Sequence, residues 1–197
     1  MSHSFLSSSA YPPGTSSISS RPRSDTSSPS YTLSTGLRAE DMSTIRQLHS
    51  EWFPLTYDED FYASLSEGRV QTLVARNSSD EIVGLAVYRV RPLADLPGSE
   101  DFPPSLLPAT YLMTLGVVQE WRGRGVAQHL LQQLVSSVTT KIFYLHVVEY
   151  NAAALALYAK VGFQEISRKL DFYLIHGRYY SAVTLARNHS NCINGFI

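Results

Sequence analysis

Glycines and arginines at one strand-to-helix junction suggest a site for a phosphate-bearing ligand. The passage YLMTLGVVQEWRGRGVAQHLL runs from a β-rich stretch through Arg122, Gly123, Arg124 and Gly125 into the predicted start of a helix. Glycines let the backbone approach a ligand closely, and the unpaired N–H groups and dipole of a helix start attract an anion. The arginines would add charge-assisted contacts. Because GxGxxG and a GK[ST] ending are both absent, we predict a diphosphate cradle of another kind; the alternative is a tight turn with solvated arginines.

A second segment further along the chain carries an asparagine and a tyrosine at helical spacing. Asn151 follows a predicted strand and is able to cap the next helix, while Tyr158 lies two turns further on, where it also suits a core residue. Together the two segments resemble the acetyl-CoA signature of the GNAT superfamily. Its [RQ]-x-x-G-x-[GA] part is matched at Arg122, Gly125 and Ala127, and its N-x-x-A-x-x-x-Y-x-x-x-G-F part at Asn151, Ala154, Tyr158, Gly162 and Phe163.

This resemblance implies an α/β (α+β) fold, in which helices flank a twisted, mostly antiparallel mixed sheet. The fourth and fifth strands of that sheet splay apart around acetyl-CoA, and no metal is expected. The diphosphate lies on the glycine turn, and the backbone of the fourth strand pairs with the pantetheine arm. An N–H of that strand holds the thioester oxygen as negative charge develops. The implied cofactor-binding residues are Leu115, Gly116, Val117, Arg122, Gly123, Arg124, Gly125, Val126, Ala127, Gln128, Asn151, Tyr158, Ala159, Lys160 and Val161.

A narrower resemblance, from Leu37 to Ala186, is to N-terminal (Nα) acetyltransferases of the NatF type, with the NatE catalytic subunit second. It rests on WFPLTYDEDFY, YLMTLGVV, YLHVVEYN and the pair Phe172-Tyr173. It implies acetyl transfer from acetyl-CoA to the α-amino group of nascent or mature protein N-termini, with Met first and then a hydrophobic or mixed residue. It also implies that Tyr111 and His146 act through water as the base. The implied substrate pocket consists of Phe53, Pro54, Tyr57, Met113, Phe172 and Tyr173.

The chemistry of a free N-terminus suits these residue types. An α-amino group has a pKa near 7.7–8.0 and a lysine near 10.4, so the N-terminus is about 300-fold richer in neutral amine near pH 7. His146, at an ordinary pKa, would supply the modest base required, and Tyr111 would orient the water. The alternatives place both residues in core packing. Tyr57, Phe61 and Tyr62 form a stripe of a kind that more often belongs to the core than to a substrate pocket. The resemblance places only Tyr57 of these in the pocket.

This chain departs from the NatF pattern near the expected substrate. Thr56 stands where the family has an acidic residue before the pocket tyrosine, which weakens the case for electrostatic recognition of the amine. The family's run of tyrosines is replaced by Leu170-Asp171-Phe172-Tyr173, in which Asp171 would partly restore a carboxylate. NatF proteins also carry a C-terminal membrane-binding extension. Here residues 188–197 predict a short polar tail, so the resemblance alone does not predict membrane attachment.

Two other functions fit the same motifs. Acetylation of lysine side chains or small amines would use the same cofactor site, and an acidic groove would favour it, but the sequence shows none. A CoA-binding but inactive interaction subunit would need only the phosphate turn. The joint presence of Tyr111 and His146 argues against that second alternative.

Composition and charge limit the remaining function classes. The 197 residues have a formal net charge of -1 and no block of like charge, so no nucleic-acid partner is expected. The single cysteine, Cys192, excludes an intrachain disulfide and favours a reducing compartment, which predicts a cytoplasmic protein, with membrane association or an organelle as alternatives. The histidines are scattered, and no apolar run approaches the roughly 18 residues of a membrane helix. We expect a monomer or weak dimer.

The chain divides into a tail, one domain and a short end segment. Residues 1–35 are rich in Ser, Pro and Thr, so they are predicted to be disordered, because they cannot bury enough apolar surface to offset their ordering entropy. The part up to Arg23 lacks acidic residues, so an organelle transit peptide is the alternative. Residues 36–187 are predicted to form the acetyltransferase domain, and residues 188–197 the tail.

Periodicity and turn residues predict the element order β-α-α-β-β-β-α-β-α-β-β. Asp41 is the expected N-cap of the first helix, and Thr56 and Glu59 have capping-box spacing for the second. The stretch from Pro92 to Pro108 is expected to be a long loop. The other predicted elements are strands Val70–Ala75, Glu81–Val90, Thr110–Val118, Ile142–Val148, Phe163–Ile166 and Tyr179–Ala186, and helices after Gly125 and over Ala152–Lys160.

Overall fold

The computed structural model describes residues 30–103 and 107–188. These residues contain seven strands and four α-helices. In chain order they are β1 (Tyr31–Thr35), α1 (Asp41–Trp52), α2 (Glu59–Ser66), β2 (Gln71–Asn77), β3 (Ile82–Pro92), β4 (Pro108–Val117), α3 (Val126–Ser137), β5 (Ile142–Val148), α4 (Ala152–Lys160), β6 (Gln164–Ile175) and β7 (Arg178–Asn188). This is the element order predicted from the sequence, although that prediction assigned no residues to the first strand. Most of the two predicted tails, residues 1–29 and 189–197, lies outside the described residues.

One sheet contains all seven strands, in the order β1-β2-β3-β4-β5-β7-β6. Neighbouring strands are antiparallel except β4 and β5, which are parallel. These two strands pair only where Ala109–Tyr111 lies beside Ile142–Tyr144. Beyond that point β4 continues to Val117 and β5 to Val148 without pairing to each other. We call this opening the fork, and it confirms the predicted splay of the fourth and fifth strands.

Helices cover both faces of the sheet, because alternate strand residues point to opposite sides and both sets are apolar. On one face, α3 and α4 bury Leu130, Leu134 and Tyr158 against the strands. On the other face, α1 and α2 bury Ile45 and Phe61. Burial of these apolar side chains is the main favourable contribution to stability. The fork therefore opens in the middle of a sheet that is buried on both faces.

The helix starts confirm one predicted cap and correct another. Asn151 caps α4, since its Oδ1 accepts a first-turn backbone N–H at 3.1 Å. α2 begins at Glu59, after Asp58, whose Oδ1 accepts a first-turn N–H at 2.9 Å. The expected capping box of Thr56 and Glu59 is therefore wrong. Asp58, which lies directly before the helix, takes the role of Thr56.

Asp41 also differs from its expected role as an N-cap. It is the first residue of α1, and Glu40 occupies the cap position. The Asp41 carboxylate accepts from the backbone N–H of Arg38 at 2.7 Å and from the buried Arg76 guanidinium at 2.5 Å. Asp41 therefore ties the start of α1 to β2 instead of capping the helix.

Two strands, β1 and β6, differ most from the predicted bounds. β1 lies inside the predicted disordered tail, so the folded part begins by Tyr31 and not at residue 36. Tyr31 and Leu33 pack against the core between Ser and Thr residues, and this alternation is too short to be recognised in the sequence. β6 runs to Ile175 instead of ending at Ile166, because a bulge between Lys169 and Tyr173 interrupts its pattern.

Replacement of Gly116 by alanine tests the packing of α1 on β4. A Cβ at Gly116 would lie 1.9 Å from the Trp52 ring, so the indole would have to move. We expect Gly116→Ala to lower the free energy of unfolding by about 1–3 kcal/mol, as measured by urea denaturation. In a Trp52→Leu background the same change should cost less, because the ring is gone. An equal cost in both backgrounds would contradict this packing.

Candidate active site

A cavity of about 470 Å³ adjoins the fork. β4 forms one side through Leu115–Val117, and α4 forms the other. The glycine turn, residues 122–125, and the start of α3 form one end. The lining residues are Trp52, Phe53, Leu115, Gly116, Val117, Trp121, Arg122, Gly123, Gly125, Val126, Ala127, Gln128, Asn151, Ala153, Ala154, Leu157, Tyr158 and Lys160.

The glycine turn has the conformation that close approach of a ligand requires. Gly123 and Gly125 have φ angles of 72° and 84°, in the left-handed region that side chains disfavour. Gly125 occupies the N-cap position of α3 and offers no side-chain cap. The first-turn N–H groups of a helix have no intrahelical partner, and here the first three residues of α3 line the cavity. The helix start therefore presents donors and a positive dipole end to an anion.

Most of the predicted cofactor-binding residues line this cavity, but Arg124, Ala159 and Val161 do not. The Arg124 guanidinium lies over the Trp121 ring, 5.5 Å from its centroid. Ala159 is exposed on α4. Val161 is buried in the core, and its carbonyl accepts from Arg187. Contact of these three residues with the cofactor stays a prediction.

Six lining residues were not predicted as cofactor contacts: Trp52, Phe53, Trp121, Ala153, Ala154 and Leu157. Of these, Phe53 was predicted as a substrate residue. The three residues on α4 lie at helical spacing from Asn151 and Tyr158. The helical period of that segment therefore indicates that they share a face with these two residues. Trp52 lies at the end of α1, far from the motif in sequence. No local pattern connects it to the cavity.

Asn151 supplies a buried polar donor to the cavity. Its Oδ1 is used in the cap of α4, whereas its Nδ2 has no hydrogen-bond partner among the residues that the structure describes. A buried donor without a partner costs stability, which a ligand carbonyl would restore. Apolar walls, this amide and the helix start together fit the alkyl-amide arm and diphosphate of CoA.

A buried tyrosine and histidine lie together at the fork. The Tyr111 hydroxyl is 3.2 Å from His146 Nδ1, and both residues are buried. Tyr111 is in the last paired position of β4, opposite Tyr144, and His146 lies two residues further along β5. The two predicted catalytic residues are therefore brought into contact where the strands part.

Burial lowers the pKa of His146 to about 4, and Lys169 adds to this while Asp101 and Glu100 oppose it. The expectation of an ordinary pKa is therefore wrong. The ring stacks on Phe172 with centroids 4.8 Å apart, and its Nε2 has no hydrogen-bond partner within the described residues. Desolvation without a hydrogen-bonded carboxylate favours the neutral form. His146 is thus neutral near pH 7.

A segment of the predicted loop Pro92–Pro108 covers His146. The segment contains short 3-10 turns at Leu93–Asp95 and Ser99–Asp101. Between them Gly98 has a φ of 78°, and a Cβ at this position would lie 2.7 Å from His146 Nε2. Any other residue would meet the ring. The Pro-Gly pair indicates a turn in the sequence, but nothing local connects that turn to the histidine.

Side-chain contacts hold this segment in place. The Tyr144 hydroxyl donates to the carbonyl of Pro97 at 2.7 Å, and the Thr184 hydroxyl donates to Asp101 at 2.8 Å. The Lys169 ammonium lies 3.3 Å from the Asp101 carboxylate. The segment is therefore anchored to β5, β6 and β7, and it keeps solvent away from the histidine ring.

Four tyrosines between the two groups of helices interact electrostatically: Tyr57, Tyr111, Tyr158 and Tyr173. Burial raises the pKa of Tyr57, Tyr158 and Tyr173, and electrostatic interaction with Tyr111 raises each of them further. Tyr158 lines the cavity, and Tyr111 contacts His146. The phenols of Tyr57, Tyr158 and Tyr173 are therefore neutral at physiological pH.

The six predicted substrate residues lie in two groups. Phe53, Tyr57 and Met113 pack in the core beneath α1 and α2, with the Phe53 and Tyr57 rings 5.8 Å apart. Phe172 and Tyr173 belong to a smaller cluster under the β6–β7 hairpin, with ring centroids 5.0 Å apart. Pro54, the sixth, is half-buried between α1 and α2. Leu55 packs against the hairpin cluster, so the segment between α1 and α2 contacts the hairpin.

A second buried histidine, His49 on α1, lies behind the Tyr57 ring. Both ring nitrogens lack a hydrogen-bond partner in the part of the chain that is described, and burial lowers the pKa of His49 to about 4. The imidazole is surrounded by the rings of Trp52, Phe53, Tyr57, Phe61 and Tyr62. His49 is thus a neutral packing residue of the aromatic core.

Within residues 30–103 and 107–188, no group of three or more His, Cys, Asp or Glu side chains is placed to hold a metal ion. Over the same residues, no helix combines the length and apolar character that crossing a bilayer requires.

Comparison with known proteins identifies the family. Residues 39–163 match the Acetyltransferase (GNAT) family. The chain belongs to this family. Histone acetyltransferase MCC1 of Arabidopsis thaliana is 27% identical over 161 residues, which cover 74% of this chain and 65% of that protein. N-alpha-acetyltransferase 60 of Xenopus tropicalis, a NatF enzyme, is 26% identical over 156 residues, which cover 74% of this chain and 64% of that protein. The chain thus spans less than two thirds of the length of these curated relatives.

Solved structures show the same GNAT fold. Arabidopsis thaliana NAA60 in complex with acetyl-CoA superimposes with a TM-score of 0.73 at 24% identity, covering 84% of this chain and 100% of that chain. The ribosomal-protein-S18-alanine N-acetyltransferase of Escherichia coli superimposes with a TM-score of 0.66 at 19% identity, covering 81% and 94%. The predicted fold class is therefore confirmed.

The two buried histidines should make the stability of this GNAT domain depend on pH. Their pKa is about 4 in the folded state against 6.5 ordinarily, so the unfolded state binds more protons between these values. The contribution of the two neutral histidines to the free energy of unfolding is fully present above pH 6.5. It is lost as the pH falls toward 4. At pH 5 the loss should be about 2 kcal/mol per histidine. Urea denaturation at several pH values measures it.

His49→Phe is the matched control, because phenylalanine fits an aromatic surrounding and does not titrate. It should remove about half of the pH dependence above pH 5. An unchanged slope in His49→Phe would show that the histidine is not buried in neutral form.

Proposed function

We propose that this protein transfers acetyl from acetyl-CoA to the α-amino group of protein N-termini that begin with Met followed by a hydrophobic or mixed residue. The observation that carries the proposal is the buried Tyr111–His146 contact at the fork, beside a cavity suited to CoA. Membership of the GNAT family and the similarity to N-alpha-acetyltransferase 60 support it.

The cavity residues would hold acetyl-CoA through three kinds of contact. The start of α3, with Gly123 and Gly125, would bind the diphosphate. The β4 backbone at Leu115–Val117 would pair with the pantetheine amides, and the Asn151 amide would donate to the same arm. Bound in this way, acetyl-CoA supplies a thioester carbonyl for attack by the amine.

Tyr111 would pass the proton of the attacking amine to His146, directly or through a water molecule. In the neutral ring, the tautomer with hydrogen on Nε2 leaves Nδ1 free to accept from the Tyr111 hydroxyl. A histidine with a pKa of about 4 is a weak base, so it suits an amine that is already partly neutral. An α-amino group meets this condition near pH 7, and a lysine does so far less. The low pKa of His146 therefore favours N-termini over lysines.

The same proposal covers the partners, the compartment and the oligomeric state of the protein. Its partners are nascent or mature protein N-termini, and it is a cytoplasmic monomer or weak dimer. The single cysteine and the formal net charge of -1 support this setting. Size-exclusion chromatography with light scattering would measure the oligomeric state.

Kinetics of Tyr111→Phe and His146→Gln test the proposed chemistry. With a Met-Leu peptide and release of free CoA thiol as the readout, we expect each variant to lower kcat by about 10²–10⁴-fold. The KM for acetyl-CoA should change little, because neither residue lines the cavity. Tyr88→Phe, at another buried tyrosine of the sheet, serves as the control.

The same assay separates the proposal from its alternatives. Turnover confined to internal lysines or polyamines would replace it with lysine or small-amine acetylation, a substrate class that the name of the MCC1 relative also represents. Cofactor binding without any turnover would identify an inactive interaction subunit.

Substitution of Asp171 tests how the enzyme selects the second residue of the substrate. Asp171 is exposed in the bulge of β6 with a φ of 51°, next to Phe172, which stacks on His146. We expect Asp171→Asn to lower kcat/KM for a Met-Lys peptide by about two- to fivefold, the size of an exposed charge contact. A Met-Val peptide should be unaffected. Glu165→Gln, earlier on the same strand, is the control, and equal losses on both peptides would remove this role.

A further inference from the structure

A buried hydroxyl on β4 lacks a hydrogen bond. Thr114 is 1% exposed, and its Oγ1 has no hydrogen-bond partner within residues 30–103 and 107–188. A buried hydroxyl without a partner costs stability, so its presence needs a physical explanation. Thr110 on the same strand is the contrast, because its buried hydroxyl is hydrogen-bonded to that of Thr140. Neither the predicted cofactor residues nor the predicted substrate residues include Thr114.

A bulge in β4 turns the Thr114 side chain toward α1 and α2. Leu112 and Thr114 pair with successive residues of β3, so Met113 between them is an extra residue. The β3 partner of Thr114 is Val87, which packs with Met113 in the core beneath α1 and α2. Directly opposed residues of an antiparallel pair have their side chains on the same face, so Thr114 points to that face as well. Bulges beside active sites often redirect a side chain in this way.

Thr114 lies between the two parts of the proposed active site. It belongs to the part of β4 that does not pair with β5. Tyr111, which contacts His146, precedes it by three residues, and Leu115, which lines the cofactor cavity, follows it directly. Strand residues are about 3.3 Å apart, so Thr114 is within about 10 Å of both along the strand. A thioester in the cavity and an amine beside Tyr111 would meet along this stretch of β4.

We propose that the Thr114 hydroxyl accepts a hydrogen bond from the attacking amine and so orients it for acetyl transfer. The inference rests on the proposed function. A neutral primary amine has two N–H groups and one lone pair, and the lone pair attacks the thioester carbon. One N–H proton leaves through Tyr111, and the CoA thiolate departs. The other N–H remains in the product amide, and in a buried site it needs an acceptor throughout.

The position of Thr114 fits this role. It points to the face on which the predicted substrate residues Phe53, Tyr57 and Met113 pack. A hydroxyl is an uncharged acceptor, so it binds a neutral amine without adding charge to the buried site. The stability lost in the free enzyme through the unpaired hydroxyl would be recovered when the amine binds.

Thr114→Val tests the inference, because valine keeps the shape of the side chain and removes the hydroxyl. We expect kcat/KM for a Met-Leu peptide to fall about tenfold, the size of one net hydrogen bond. Acetyl-CoA affinity, measured by calorimetry, should stay within about twofold, because Thr114 does not line the cavity. The melting temperature should rise, because an unpaired buried hydroxyl is removed. A merely structural role would instead lower activity and melting temperature together.

Two further variants provide controls. Thr114→Ser keeps the hydroxyl and should retain kcat/KM within about threefold. Thr110→Val removes a hydroxyl from the same strand and leaves the Thr140 hydroxyl without this partner, so it should lower the melting temperature and keep kcat/KM within about threefold. If Thr114→Val loses its cooperative thermal transition, comparison of Thr114→Ser with Thr114→Ala carries the test, since these two differ only by the hydroxyl.

A kcat/KM within about twofold of wild type in Thr114→Val would overturn the inference. So would an equal fall in Thr114→Ser, a joint fall of activity and melting temperature in Thr114→Val, or a matching loss of acetyl-CoA affinity, which would make Thr114 a cofactor contact. Each of these results leaves the proposed function intact, because the wild-type chain still acetylates the peptide. Absence of turnover by the wild-type chain would overturn the proposed function itself.

Discussion

The parting of β4 and β5 is the constraint on which the rest of the structure depends. Two parallel neighbours that pair at three positions and then diverge leave part of β4 without a strand partner on that side. Buried backbone groups must be hydrogen-bonded to something, and a ligand with its own amide groups can replace the missing strand. The helices on both faces hold the two strands at this separation, so the opening is built into the packing and does not depend on the ligand.

Burial of the Tyr111–His146 contact is the second constraint. The loop segment around Gly98 and the Phe172 ring remove water from the histidine, which favours its neutral form. The same burial makes it a weaker base than an exposed histidine. Such a site suits a nucleophile that is neutral before it binds, and the acetyl group then meets few competing water molecules. Under the proposed function, burial of His146 would thus both favour an amine that is already neutral and exclude water from the reaction.

Signals carried by consecutive residues allowed much of the fold and the cavity to be predicted. β5, α4 with its Asn151 cap, and the glycine turn follow from periodicity and turn chemistry alone. The parts that were wrong depend on contacts between distant segments. Burial lowers the pKa of His146, and part of that burial comes from a loop between β3 and β4. β1 is held by pairing with β2, which no property of its five residues reveals.

Hydrogen–deuterium exchange of the full chain, with and without saturating acetyl-CoA, tests the role of the fork most directly. We expect acetyl-CoA to slow exchange in peptides that cover Leu115–Val117 and the first turn of α3, while the loop between β2 and β3 keeps its rates. Unchanged exchange along β4 and the start of α3 at saturating acetyl-CoA would contradict the assignment of the fork as the cofactor site.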